Sequence, residues 1–67
     1  MRIHDRAEKL AAKWYDLYHD GVAAVDLRSI RVACSKDGKL TALVILDLNE
    51  KHGTDAAFDF LYDIATL

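Results

Sequence analysis

The stretch LRSIRVACSKDGKLTALVILDL, residues 27–48, decides the fold that the sequence predicts. Apolar and polar side chains alternate along residues 27–34 and 40–48, which is the two-residue period of a β-strand. Between these two segments, the dipeptide Asp37-Gly38 is a strong signal for the turn of a β-hairpin. The sequence therefore predicts two antiparallel strands joined by a short loop.

The register of the predicted hairpin depends on the length of this loop. A two-residue loop would set Lys36 opposite Lys39. A three-residue loop that closes at Gly38 avoids this like-charge pair and matches apolar with apolar residues across the strands. With this register, we expect Leu43 and Ile45 to point away from the rest of the domain, on the open face of the hairpin.

An amphipathic helix is predicted before the hairpin. Apolar residues recur at steps of three and four over residues 3–18. Asp5 is placed to cap the start of this helix, with Glu8 as its capping-box partner. Gly21 suits the left-handed residue that ends the helix, and the next residue, Val22, is expected to contact the last turn.

A second helix is predicted after the hairpin. Residues 22–26 are expected to form a connector, and residues 49–53 a loop that leads to Thr54 as the N-cap. The helix is then expected to run nearly to Leu67. The predicted fold class is α+β, a helix, a two-stranded antiparallel β-hairpin and a helix (αββα), in a single domain over residues 1–67 that dimerisation completes.

The size and composition of the chain limit the classes of protein to which it can belong. The 67 residues are 52% hydrophobic and 30% charged, which is typical of a globular protein. A domain of this size buries only about 60% of its unfolded surface, and one cysteine, Cys34, allows no internal disulfide. The charged beginning of the chain differs from a signal peptide, and no apolar run is long enough to span a membrane. We therefore expect a cytoplasmic protein without membrane contact.

An excess of apolar side chains predicts an interface. A two-stranded hairpin covered on one side would leave Leu43 and Ile45 facing water, and the last helix is apolar over more than the stripe that one-sided burial needs. The residues expected at a dimer or partner interface are Leu43, Ile45, Phe60, Tyr62 and Leu67. The alternative is that a small protein simply exposes some apolar groups, as most proteins do.

Two charged stripes are candidate binding surfaces. Aspartates four residues apart form an acidic ridge on the last helix that would suit a basic partner, namely Asp55, Asp59 and Asp63. The first helix carries a basic stripe that would suit phosphate groups, namely Arg2, Arg6, Lys9 and Lys13. It could act alone or together with the basic residues of the hairpin, namely Arg28, Arg31, Lys36 and Lys39. Either stripe could instead be an ordinary solvated helix face. The net charge of −2 makes nucleic acid the less expected partner.

Metal, cofactor and catalytic motifs are absent from the sequence. His4, His19, His52 and Cys34 are scattered without the short paired spacings of metal ligands. No glycine-rich phosphate loop or nucleophile motif occurs. The sequence thus predicts a small non-enzymatic binding or regulatory protein that acts through protein–protein contact as a homodimer. Its size is typical of phage or bacterial inhibitors of host proteins, and a nucleic-acid-associated regulator is the alternative.

Overall fold

The part of the chain that the structure describes forms four α-helices. The computed structural model describes residues 2–21 and 24–66, and of residues 24–26 it describes the backbone alone. The helices are α1 (Ile3–His19), α2 (Ala24–Ser35), α3 (Gly38–His52) and α4 (Thr54–Ala65). Helix α1 packs mainly on α3, and α3 also packs on α4, in a domain that measures 28 × 24 × 19 Å.

The predicted αββα fold and its β-hairpin are wrong, because residues 27–34 and 40–48 are helical and the described residues contain no strand. Their fully buried positions follow the helical period rather than the alternation of a strand. In α3, these positions are four residues apart at Leu40, Val44 and Leu48. The apolar run at residues 42–46 fits either period, which is why alternation alone predicted a strand.

Asp37-Gly38 begins a helix instead of turning a hairpin. Asp37 has an extended backbone, and its carboxylate accepts hydrogen bonds from the backbone N–H groups of Lys39 (3.1 Å) and Leu40 (3.2 Å). It is therefore the N-cap of α3. Gly38 is the first helical residue and does not adopt the positive φ that the hairpin loop required. The Thr41 hydroxyl adds hydrogen bonds to the carbonyls of Cys34 and Asp37, which ties the end of α2 to the start of α3.

The prediction of the first helix is confirmed, with a different start. Helix α1 begins at Ile3 with Arg2 in the N-cap position and no side-chain cap, so Asp5 lies inside the first turn. Gly21 has φ 69°, the left-handed conformation expected after the helix. The predicted contact of Val22 with the last turn lies outside the described residues.

The prediction of the last helix is confirmed, but the predicted loop at residues 49–53 and the predicted N-cap Thr54 are wrong. Residues 49–52 continue α3, and Gly53, with φ 91°, separates it from α4 and occupies the N-cap position. Thr54 is the first helical residue, and its hydroxyl donates a hydrogen bond to the Asn49 side chain (3.0 Å). Residues 24–26 of the predicted connector belong to α2.

The core lies where all four helices meet. Trp14 of α1 and Phe60 of α4 are fully buried and meet edge to face, with 5.2 Å between their ring centroids. The other large, fully buried side chains come from α2 and α3, namely Ile30, Cys34, Leu40, Val44 and Leu48.

Candidate partner-binding surface

Helix α4 exposes a row of apolar side chains on the outside of the domain. Phe58 is 62% exposed, Tyr62 is 72% exposed and Leu61 is 41% exposed. Ala65, one turn beyond Leu61, is exposed as well. Because these residues are three and four positions apart, they lie on one face of the helix. We call this the outer face of α4.

The opposite face of α4 is also apolar. Ala56, Ala57 and Phe60 are buried in the core. The helix thus carries two interleaved apolar stripes, of which the domain covers one. The sequence showed apolar residues around more than half of this helix because both stripes contribute to it. Separating the two stripes by the 3.6-residue period would have placed Phe58 and Leu61 on the same exposed stripe as Tyr62.

The residues of the predicted interface do not form one surface. Tyr62 lies on the outer face of α4, whereas Phe60 is fully buried within the same chain. Leu43 and Ile45 are half-buried and pack against the core from α3. Leu67 lies outside the described residues. Leu46, which also belongs to α3, is 62% exposed.

The predicted acidic ridge is divided between surface and core. Asp55 is exposed, Asp59 is half-buried, and Asp63 is only 6% exposed. Asp55 and Asp59 precede Phe58 and Tyr62 by three residues each, so they lie along one edge of the outer face of α4. The surface therefore combines an apolar row with two carboxylates on one side.

Asp63 is bonded inside the protein. Its carboxylate accepts hydrogen bonds from the indole N–H of Trp14 (2.9 Å), from Nε of Arg31 (2.8 Å) and from Nη2 of Arg31 (2.5 Å). Burial raises the pKa of Asp63, but the hydrogen bonds from Arg31 and Trp14 and the charge of Arg31 outweigh it, so the net direction is downward. Asp63 is a charged link between α1, α2 and α4.

The predicted basic stripe is exposed along one edge of α1. All four of its residues face solvent, namely Arg2, Arg6, Lys9 and Lys13. Further along the helix, the exposed carboxylates of Asp16 and Asp20 follow. Of the additional basic residues, Arg31 is paired with Asp63, and the others are exposed on α2, in the turn or at the start of α3, namely Arg28, Lys36 and Lys39.

An open groove of about 300 Å³ lies between α1 and α3. Its lining consists of apolar side chains, one histidine and three carboxylates, namely His4, Ala7, Glu8, Leu43, Leu46, Asp47 and Glu50. Asp47 also forms an ion pair with Lys51 (3.1 Å). Elsewhere on the same two helices, Tyr15 stacks on His52 with ring centroids 3.6 Å apart and contacts His19 at 4.2 Å.

No metal-ligand cluster is present in the described part of the chain, where at most two histidine, cysteine, aspartate or glutamate side chains meet in suitable positions. Cys34 is fully buried, and burial raises the pKa of its thiol. The thiol is therefore neither exposed nor activated as a nucleophile.

Comparisons with protein families, curated proteins and solved structures find no match to this chain. None of the described helices has the length and apolar character needed to cross a membrane. Residues 2–21 and 24–66 thus form a small domain of four helices, and its last helix exposes an apolar row with two carboxylates along one edge.

Proposed function

We propose that the protein is a non-enzymatic binding protein that acts by contact with another protein through the outer face of α4. The observation that carries this proposal is the exposure of Phe58, Leu61 and Tyr62 on one side of a single helix. Scattered exposed apolar residues are ordinary, whereas a contiguous apolar row on a small domain is typical of an interaction surface.

The spacing of the row fits a known mode of recognition. A helix that lies in the groove of a partner contacts it with residues at positions i, i+3, i+4 and i+7. On α4 these positions are Phe58, Leu61, Tyr62 and Ala65. Phenylalanine and tyrosine are large side chains with few rotatable bonds, so they bury much surface at a small entropic cost. A protein of this kind would act as an inhibitor or regulator by occupying a surface of its target.

A homodimer through the same face is the second occupant to be considered. The open hairpin face that first suggested dimerisation does not exist, since Leu43 and Ile45 pack against the core. The outer face of α4 remains available for self-association, which sedimentation over a micromolar concentration range measures directly.

The test of the proposed function uses matched serine variants. We expect Phe58→Ser and Tyr62→Ser to abolish retention of the protein that the wild-type chain captures from a lysate of its cells of origin. Leu46→Ser is the control, because Leu46 is as exposed as Phe58 but lies on α3. It should leave retention unchanged. Equal retention by all three variants would show that α4 is not the binding surface.

Nucleic-acid binding is the alternative, supported by the exposure of four basic side chains along one edge of α1. Contacts with phosphates release counterions, so such binding would weaken steeply with salt. Fluorescence anisotropy with labelled DNA and RNA should then show that the affinity of the wild type decreases with salt concentration. This dependence should be weaker for an Arg6→Gln/Lys9→Gln variant. Absence of binding at low salt would exclude this alternative.

A further inference from the structure

We infer that α4 binds as a ligand helix in an apolar groove of a different protein, and that this groove carries basic side chains along one rim. This inference rests on the proposed function and specifies the chemistry of the partner. Three features of α4 support it: the area of the outer face, the position of its charges and the symmetry that a second copy would impose.

The area of the outer face requires a concave partner. Large side chains bury about 150–250 Å² each, so the exposed fractions of Phe58, Leu61 and Tyr62 amount to roughly 350 Å². A stable interface buries about 800 Å² on each partner. A second convex helix would cover little beyond the apolar row, whereas a groove also contacts both flanks of α4.

The charges of α4 specify one rim of that groove. Asp55 and Asp59 lie on the same edge of the outer face, beside Phe58 and Tyr62. A groove that encloses the apolar row brings its nearer wall against these carboxylates. Basic side chains on that wall would pair with them, whereas apolar or acidic side chains would leave them partly desolvated without a partner.

The same charges disfavour a second copy. In a symmetric antiparallel pair of α4 helices, the two-fold axis keeps both acidic edges on the same side of the interface. The two Asp55 and two Asp59 side chains would then form one row of like charges. In a symmetric parallel pair, the two helix dipoles would instead be aligned side by side with like ends together, which is also unfavourable.

The experiment uses the protein that the wild-type chain captures, after its purification, as the binding probe. Its affinity is measured for the wild type, for Tyr62→Ser and for the double variant Asp55→Asn/Asp59→Asn at low and high salt. We expect the double variant to bind roughly 3- to 10-fold more weakly at low salt and to lose most of the salt dependence. Circular dichroism checks that both variants remain folded, and zero-length carbodiimide coupling should join Asp55 or Asp59 to lysines of the partner.

The outcomes separate this inference from the function on which it rests. If Tyr62→Ser binds as tightly as the wild type, or if no captured protein depends on Tyr62, both the proposed function and the inference fail. If Tyr62→Ser loses binding but the double variant keeps the wild-type affinity and salt dependence, the proposed function stands and the basic rim is wrong. A dimer of the chain in sedimentation that Tyr62→Ser dissociates would overturn the inference in favour of a second copy.

Discussion

At the scale of single residues, the Asp63 side chain connects α4 to α1 and α2. It sits on the inner side of the helix and is held by Trp14 from α1 and Arg31 from α2. A buried carboxylate without partners would destabilise the fold, but here the hydrogen bonds and the opposite charge compensate for its desolvation. No sequence pattern revealed this link, because its partners are 49 and 32 residues away.

Replacing Asp63 tests the contribution of this link to stability. Asp63→Asn removes the charge that pairs with Arg31 and should lower the free energy of unfolding by about 3 kcal/mol at neutral pH. The control Asp55→Asn changes an exposed residue in the first turn of α4 and should cost no more than about 1 kcal/mol, the usual contribution of a carboxylate to the helix dipole. Urea unfolding followed by circular dichroism measures both variants. A small effect of Asp63→Asn would contradict a stabilising role of the Asp63 hydrogen bonds and ion pair.

The pH dependence of the same variant has a defined sign. The folded state lowers the pKa of Asp63 below its ordinary value of 3.8. The resulting stabilisation is complete above that value and is lost as the pH falls through the lower, folded-state pKa. We therefore expect the stability difference between the wild type and Asp63→Asn to shrink as the pH is lowered below about 4. A difference that grows in acid would mean that the pKa is shifted in the other direction.

At the scale of elements, the sequence predicted α1 and α4 but not α2 and α3. These first and last helices of the chain have long apolar stripes. Gly21 takes the left-handed conformation expected after α1. In residues 27–48, the alternation of apolar and polar residues, a short apolar run and an Asp-Gly pair all favoured a hairpin locally. The structure uses the aspartate as an N-cap and buries every third or fourth residue against α1 and α4, so tertiary packing overrides the local preference.

Gly38 distinguishes the helix start from the hairpin turn. At the first position of α3, alanine should stabilise the protein by about 0.5–1 kcal/mol, because it restricts the unfolded chain and favours the helix. In a hairpin loop with positive φ, the same substitution would destabilise. Gly53→Ala is the matched comparison, since neither glycine has a neighbour within 4 Å of an added Cβ but Gly53 has φ 91°. Gly53→Ala should lower the free energy of unfolding by about 1–3 kcal/mol. Denaturant unfolding measures both variants, and a loss of stability in Gly38→Ala would contradict the helix start at Gly38.

At the scale of the whole molecule, stability depends on a small core. A single domain of this size has a margin of about 3–5 kcal/mol, and Trp14 and Phe60 are its two largest fully buried side chains. The same helix that carries Phe60 into the core carries Phe58 on its exposed side, where the proposed partner would bind. The apolar excess of the last helix and the exposure of Tyr62 could be predicted from the sequence. The division of its aspartates between core and surface could not, because it depends on where Arg31 and Trp14 lie.

The two phenylalanines of α4 should therefore respond in opposite ways. Phe60→Ala removes a fully buried ring and should cost about 3–5 kcal/mol, which leaves little or no folded protein. Phe58→Ala should change the free energy of unfolding by no more than about 0.5 kcal/mol while weakening partner binding. Thermal unfolding followed by circular dichroism measures the stability of each. Comparable losses for the two would mean that the outer face of α4 is part of the core.

Trp14, described above as a core residue, is also the chain's one indole chromophore. It is fully buried between Tyr18, Phe60 and the carboxylate of Asp63, so its emission reports the junction of α1 and α4. A partner that docks on the outside of a rigid α4 leaves the emission maximum in place. A partner that pulls α4 away from the domain exposes the indole to water and shifts the emission to longer wavelength. The unlabelled protein can thus distinguish rigid docking from binding coupled to opening of the fold.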